Sequence, residues 1–174
     1  MADPQEQVRF QVVDMADNPT PAFTEVIDYW REKRGDRFAP SWADIHLLDL
    51  PPRLLPNCLV VDMEGTSGPI RYRYYGSAIA DLHGYDLTNK TIQNMAPKNF
   101  QEQVVRQYRL VQEKREPMFF IAHFPFLIGR RTHQYLVRMP LSDDGINVTN
   151  GCSWQDISDH SRILAKSYTQ MSST

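Results

Sequence analysis

Tyrosine and histidine side chains are the groups in this sequence best suited to contact a small polar molecule. Tyr72 and Tyr74 alternate along one apolar segment, and His133 and Tyr135 alternate along another. Each offers a hydrogen-bonding atom on a largely apolar ring, which suits an apolar ligand with a polar tip. Two structural alternatives stay open. Tyrosine rings commonly fill a core with the hydroxyl toward water, and a histidine at a sheet edge commonly serves only a local hydrogen bond.

Enzyme and metal-site signatures are absent from the sequence. It contains no Gly-x-Ser-x-Gly, no phosphate-binding glycine loop and no His-Glu-x-x-His, and its five histidines lack metal-ligand spacing. The pair Asp143-Asp144 precedes Gly145 in a turn, where aspartate is favoured for backbone reasons alone. We therefore predict that the protein is not an enzyme and has neither catalytic nor metal-binding residues.

The composition favours one domain with its own core. The chain has 174 residues, of which 41% are hydrophobic, and its net charge of -2 offers no basic face for nucleic acid. No apolar run approaches the roughly 20 residues that span a bilayer, so no membrane insertion is expected. No secretory signal precedes the two cysteines, Cys58 and Cys152. We therefore expect reduced thiols and a cytoplasmic location.

The clearest helix is predicted over residues 21–34. Thr20 and Pro21 favour a helix start, because proline has no N–H to lose in the first turn, and Gly35 marks the end. An apolar stripe with i, i+3, i+4, i+7 spacing runs along one side and comprises Phe23, Val26, Ile27 and Trp30. The proline-rich segment 36–57 that follows is apolar enough to lie against the domain as a connector.

The remaining pattern predicts short helices among strands. Strands are expected over 58–63, 70–75 and 148–154, with a short helix over 76–83 and a longer helix over 99–115. Segments 118–128 and 132–141 are predicted to form a hairpin around Gly129-Arg130, a type II′ signal.

That turn sets Phe120 across from Met139 and Phe124 across from Tyr135. This apolar set is assigned to the inner face of the sheet. The outer face is then expected to hold Ile121, His123, Gln134, Leu136 and Arg138.

This order of elements resembles the PAS domain family over roughly residues 57–154. Gly84-Tyr85 resembles the Gly-Tyr step after the first core helix of that family, and the run 140–145 resembles its turn between the last two strands. Upstream, Trp30, Pro40-Ser41 and the run 54–56 resemble a compact, stand-alone subgroup common in alphaproteobacteria. Asn89 stands where that subgroup has glycine, and asparagine tolerates the left-handed conformation there.

The resemblance implies an α+β fold, a five-stranded antiparallel sheet with helices on one face plus an N-terminal helix. The boundaries that follow are a flexible arm at 1–19, the helix and connector at 20–56, the PAS core at 57–155 and a tail at 156–174. It also implies a core cavity, whose expected ligand-binding residues are Tyr72, Tyr74, His83, Phe120, Phe124, His133, Tyr135 and Trp154.

The known PAS cofactors can be compared with these residues. Photosensing members need a cysteine in the segment after Gly-Tyr, and residues 91–95 contain none, so flavin adduct chemistry is not expected. Haem stays open through His83, although the helix at 99–115 has no histidine. Cys152 is the one thiol expected near the cavity, more often as a small buried apolar residue. The cofactor is therefore left unknown.

Two functions follow from the resemblance. The first is a stand-alone sensory module that binds a small molecule and signals through protein–protein contacts. The second is a ligand-free adaptor for protein interaction or dimerisation. Both include a homodimer joined by the apolar stripe at 21–34, with Phe10, Val12 and Val13 adding to the contact, and a protein partner in a signalling pathway.

Overall fold

The computed structural model describes residues 8–17, 20–124 and 132–156, without the side chains of Phe124, Thr132 and His133. The strands are β1 (Arg9–Val13), β2 (Cys58–Met63), β3 (Ile70–Tyr75), β4 (Met118–Phe124), β5 (Thr132–Leu141) and β6 (Asn150–Asp156). The helices are α1 (Pro21–Arg34), α2 (Ser77–His83) and α3 (Lys98–Lys114). The strands form one antiparallel sheet in the order β1-β4-β5-β6-β2-β3.

The sheet is covered on both faces. On one side, which we call the α1 face, α1 and the connector pack on β2, β4, β5 and β6. On the other side, the α3 face, α2, α3 and the loop between them pack on β2, β3, β4 and β5. Side chains alternate between the faces along each strand, so neighbouring residues of one strand contribute to different cores.

Helix α1 has the bounds that the sequence predicts. Gly35 ends it with φ of 56°, and its N–H donates to the Arg31 carbonyl. The apolar stripe of α1 is buried inside the chain against Phe119, Val137 and Met139. Trp30 is 2% exposed, and its Nε1–H donates to the Pro140 carbonyl over 2.8 Å.

The expectation that this stripe joins two subunits is therefore corrected. The four side chains already contact the chain's own sheet, because the α1 face of β4, β5 and β6 is apolar and needs cover. All of them are fully buried in a single chain: Phe23, Val26, Ile27 and Trp30.

The connector packs on the domain as predicted. It contains 3₁₀ turns at Trp42–Asp44, Leu47–Asp49 and Pro52–Asn57. The first turn begins with a capping box in which Ser41 and Asp44 exchange hydrogen bonds. The connector joins the loop after β5 through Trp42 N–H, which donates to the Asp143 carboxylate over 2.8 Å.

Part of the expected N-terminal arm is an ordered edge strand. Residues 9–13 form β1, which pairs with β4, so the sheet has six strands rather than five. Phe10 reaches the α3 face and meets the Phe120 ring edge-on at 5.5 Å between centroids. The rest of the arm, residues 1–7 and 18–19, and the tail from 157 onward lie outside the described residues.

A β-bulge interrupts the alternation expected for β3. Val61 pairs with Tyr72 and Val60 with Tyr74, which leaves Arg73 as the extra residue. The bulge sends Tyr72 and Tyr75 into the α3-face core and turns Tyr74 to the α1 face. Tyr72 and Tyr74 therefore do not share a face.

The predicted register of the β4–β5 hairpin is wrong. Phe120 pairs with Leu136 instead of Met139, and Phe124 pairs with Thr132 instead of Tyr135. A shift of three residues exchanges the faces of β5. Leu136 and Arg138 consequently face α3, and Val137 and Met139 face α1. The expected turn at Gly129-Arg130 lies outside the described residues.

Two further sequence predictions are confirmed on the α3 face. Helix α2 ends at Gly84, whose φ of 77° is left-handed, and α3 covers almost the predicted range. Asn89 adopts φ of 63°, the conformation for which asparagine is tolerated in place of glycine. Within the described residues, no helix has the length and apolar character needed to cross a membrane.

We predict that Trp30→Ala lowers the free energy of unfolding by about 3–5 kcal/mol, since it removes a fully buried ring and a buried hydrogen bond. Urea denaturation measures the change. The control is Leu48→Ala, at a side chain 88% exposed, which should stay within about 0.5 kcal/mol of the parent. If the Trp30→Ala protein kept its stability but no longer dimerised, the stripe would be an intersubunit contact and the prediction would be wrong.

Candidate functional site

A cluster of polar side chains lies inside the largely apolar core of the α3 face. We call it the Arg138 cluster. Its centre is Arg138 of β5, which is 2% exposed. Ser153 of β6 pairs with Arg138 across the sheet, and α3 contributes two residues from above. The full set is Arg138, Gln107, Tyr108, Ser153 and Tyr72.

Three contacts hold the Arg138 guanidinium. Its Nε–H donates to Gln107 Oε1 over 2.9 Å, and one Nη donates to Ser153 Oγ over 3.1 Å. The Tyr108 ring lies against the guanidinium carbon, with 4.1 Å to the ring centroid. The two hydrogen bonds and the cation–π contact fix the orientation of the side chain and replace part of its lost hydration.

No carboxylate pairs with Arg138 among the described residues. The ion pairs there involve other arginines and lysines, all with partly or largely exposed partners. An arginine keeps its charge when buried, so this core holds a positive charge without an anionic partner. Such an arrangement is costly in an apolar interior unless something else compensates it.

The Tyr72 hydroxyl is the second incomplete group of the cluster. It is buried and forms no hydrogen bond with a described residue, although the Tyr108 hydroxyl is near enough to raise its pKa. Burial is the main reason that the pKa of Tyr72 lies well above its usual value. The hydroxyl therefore keeps its proton and remains a hydrogen-bond donor.

His83 lies at another part of the same core, at the end of α2. Its Nδ1 is 2.6 Å from the Tyr75 hydroxyl, and its ring contacts those of Tyr85 and Phe100. Burial among these rings lowers the pKa of His83 to about 4, so the imidazole is neutral at physiological pH.

Sequence comparison agrees with this architecture. A family model described as a PAS domain matches residues 19–150, well over half of the chain. The chain belongs to the PAS domain family. The match begins just before α1 and ends at the first residue of β6. It therefore includes α1, the connector and every residue of the Arg138 cluster except Ser153. A search of curated protein sequences gave no match.

Several solved structures are similar to this PAS domain. The PAS domain of BvgS from Bordetella pertussis is 24% identical, covers 68% of this chain and 90% of its own, and has a TM-score of 0.40. The light-state LOV domain of the blue-light photoreceptor Aureochrome1 is 15% identical. The match covers 69% of this chain and 93% of the LOV domain, with a TM-score of 0.41. An RNA-binding light-oxygen-voltage receptor is 12% identical. The match covers 97% of this chain and 44% of the receptor, with a TM-score of 0.46.

The residues predicted to bind a ligand do not lie together. Tyr72, His83 and Phe120 lie in the core of the α3 face. Tyr74, Tyr135 and Trp154 lie on the α1 face. The bulge in β3 turns Tyr74 to that face, and the observed register of β5 and β6 places Tyr135 and Trp154 there. Phe124 and His133 pair with Thr132 and His123 through the backbone, and their side chains lie outside the described residues.

Neither cysteine of this PAS domain faces the Arg138 cluster. Cys58 and Cys152 are both buried on the α1 face, which corrects the expected position of Cys152 near the cavity. Burial raises the pKa of the Cys152 thiol to about 12 and raises that of Cys58 as well, so neither is a reactive thiolate. These positions do not suit a covalent link to a chromophore on the α3 face.

Sequence reasoning missed the centre of the site. The sequence pattern predicts Arg138 on the outer face and does not single out Gln107 or Ser153. One signal was present in the sequence of α3, where Gln107 interrupts an otherwise apolar and aromatic stripe made of Phe100, Val104, Tyr108 and Val111. A polar residue in such a stripe needs a buried partner, and Arg138 is that partner. Within the described residues, no group of three metal-ligating side chains is close enough to hold an ion.

We predict that stability falls as the pH is lowered from about 6.5 to about 4, because the unfolded chain binds a proton at His83 that the folded chain rejects. The contribution of this one group is roughly 3 kcal/mol over that window. Urea denaturation at pH 7.5 and pH 4.0 measures it.

His83→Phe should flatten this dependence, whereas the control His46→Gln, at an exposed histidine, should leave it unchanged. An unaltered slope in His83→Phe would contradict the assignment. The exposed carboxyl of Asp144, whose pKa is lowered by hydrogen bonds from Asn147 and Ile146, acts only at lower pH.

Proposed function

We propose that this PAS domain is a sensory module that binds a small molecule at the Arg138 cluster and signals through protein contacts. The observation that carries the proposal is the incomplete polar cluster itself. In a core that binds no ligand, a guanidinium without an anionic partner and a hydroxyl without a hydrogen bond would only destabilise the fold. A bound molecule that supplies the missing partners removes that cost.

Strand β5 supplies a route from the site to the surface. Arg138 lies between Val137 and Met139, whose side chains pack on α1. The next residue, Pro140, accepts the hydrogen bond of Trp30. Farther along the chain, Ser142 N–H donates to the Pro40 carbonyl over 2.8 Å. A displacement of β5 on binding therefore reaches both α1 and the connector, which present their other sides to solvent.

The proposal is tested by native mass spectrometry of freshly purified protein, compared with the mass after denaturation. We expect additional mass that is lost on denaturation. Tyr72→Phe should lower the occupancy of the ligand, because it removes a donor on the α3 face.

The matched control is Tyr74→Phe on the same strand, where the hydroxyl faces away and donates to the Leu55 carbonyl. Equal occupancy in both variants would place the ligand elsewhere. If the native mass of the parent protein equals its denatured mass, also after incubation with a cell extract, the result would count against a ligand-binding function.

A second candidate function, a homodimerising adaptor, is supported by the edge strand β1. The opposite edge of the sheet is covered, since Asn89 and Lys90 exchange backbone hydrogen bonds with Tyr72 of β3. No described strand pairs with the other side of β1, and Val12 is 47% exposed. Beside it lies a surface groove of about 490 Å³ lined by Val12, Val13, Asp14, Met15, Glu116, Pro117 and Met118.

We therefore expect two copies to associate through β1, since an open strand edge favours pairing with another strand. Val12→Asp should weaken the dimer at least tenfold, because it introduces a charge at that edge. Sedimentation velocity over a range of concentrations measures the change. Leu48→Asp removes an even more exposed apolar side chain away from the strand and should have no effect. An identical dimer in Val12→Asp would exclude β1 as the interface.

A further inference from the structure

We infer that the molecule bound at the Arg138 cluster is a monocarboxylate with an apolar body. The carboxylate would accept hydrogen bonds from Arg138 and Tyr72, and the body would lie among the apolar side chains of the α3 face. This inference rests on the sensory function proposed above and adds the chemical class of its ligand.

The charge of the site favours an anion. Arg138 is the one cation among the buried polar residues of the described chain. The buried imidazole of His83 is neutral at physiological pH. No described aspartate or glutamate comes within ion-pair distance of it. A neutral ligand would leave that charge uncompensated, and a cation would add to it.

The geometry of the guanidinium favours a planar acceptor. Gln107 and Ser153 occupy two of its five N–H groups, the Nε–H and one on an Nη atom. The three remaining N–H groups include at least one on each Nη atom. A carboxylate matches this fork because its two oxygens accept parallel hydrogen bonds. The Tyr72 hydroxyl, buried and without a partner, supplies a further donor.

A single positive charge favours a monoanion over a phosphate. A phosphate monoester carries close to two negative charges at neutral pH, and its binding sites commonly combine several cations or a helix N-terminus. The side chains that bond to Arg138 are uncharged: Gln107 and Ser153. One carboxylate therefore neutralises the cluster, whereas a phosphate would leave a negative charge in the core.

The surroundings specify the remainder of the ligand. Arg138 is flanked on the sheet by Met118 of β4, and Leu136 lies two residues along on the same face. Val104 and Val111 of α3 cover this region from above. These side chains offer contacts to an aliphatic or aromatic group and no further polar partners.

The test compares matched probes on the full chain. Hexanoate and phenylacetate are compared with hexanamide, phenylacetamide and hexyl phosphate by thermal shift and by isothermal titration calorimetry. We expect the acids to raise the melting temperature and the amides and the phosphate to have little effect. Arg138→Met should weaken binding of the acids by roughly 10- to 100-fold, the usual value of charge-assisted hydrogen bonds.

Arg138→Met is expected to fold, because a methionine of similar length replaces a buried unpaired charge. If it does not fold, Arg138→Lys serves instead, since lysine keeps the charge but loses the fork, and it should reduce binding less than tenfold. Tyr74→Phe is the control that leaves binding unchanged. A methionine variant that folds and binds the acids as tightly as the parent would refute the role of Arg138.

The failures of the two proposals are distinguishable. Amides that bind as well as acids, a tighter hexyl phosphate, or a retained molecule that mass spectrometry identifies as neutral would overturn the carboxylate assignment and leave the sensory function standing. If no probe binds and the native mass is bare, both proposals are overturned together.

Discussion

The constraint on which this structure depends is that one sheet carries apolar side chains on both faces. Strand β4 carries Phe119 toward α1 and Phe120 toward α3, and β5 does the same with Val137 and Leu136. A sheet of this kind exposes a large apolar surface unless two separate layers cover it. Helix α1 and the connector supply one layer, and α2 with α3 supplies the other. The stripe of α1 is therefore needed within its own chain.

Local signals in the sequence were sufficient for the helices. Thr20, Pro21 and Gly35 mark the ends of α1, and Gly84 ends α2, because backbone conformation at these positions depends on residue type. The register of β4 and β5 had no such local determinant. The alternation in β5 identifies Val137 and Met139 as an apolar side, but it does not identify which layer covers that side when both faces of the sheet are covered. Packing in the folded chain identifies it, since Val137 and Met139 lie against α1 and Arg138 bonds to Gln107 of α3.

The candidate site was missed for the same reason. A shift of three residues moves Arg138 from the expected outer position into the core, together with Leu136. The bulge at Arg73 has a similar effect on β3, since it separates Tyr72 from Tyr74 and directs only Tyr72 toward Arg138. Neither event changes the composition of a strand. The one signal within the sequence was Gln107, a polar residue in the stripe of α3, which requires a buried partner.

The same alternation that hides the site also links it to the opposite face. Arg138 belongs to the α3 core, and its neighbours Val137 and Met139 belong to the α1 core, so one short length of β5 serves both. Closely packed cores respond to a displaced strand by shifting as units. The hydrogen bond from Trp30 to Pro140 joins α1 to that length of β5. Under the proposed function, a ligand that neutralises Arg138 would act on the strand that α1 contacts, without any contact of its own with α1.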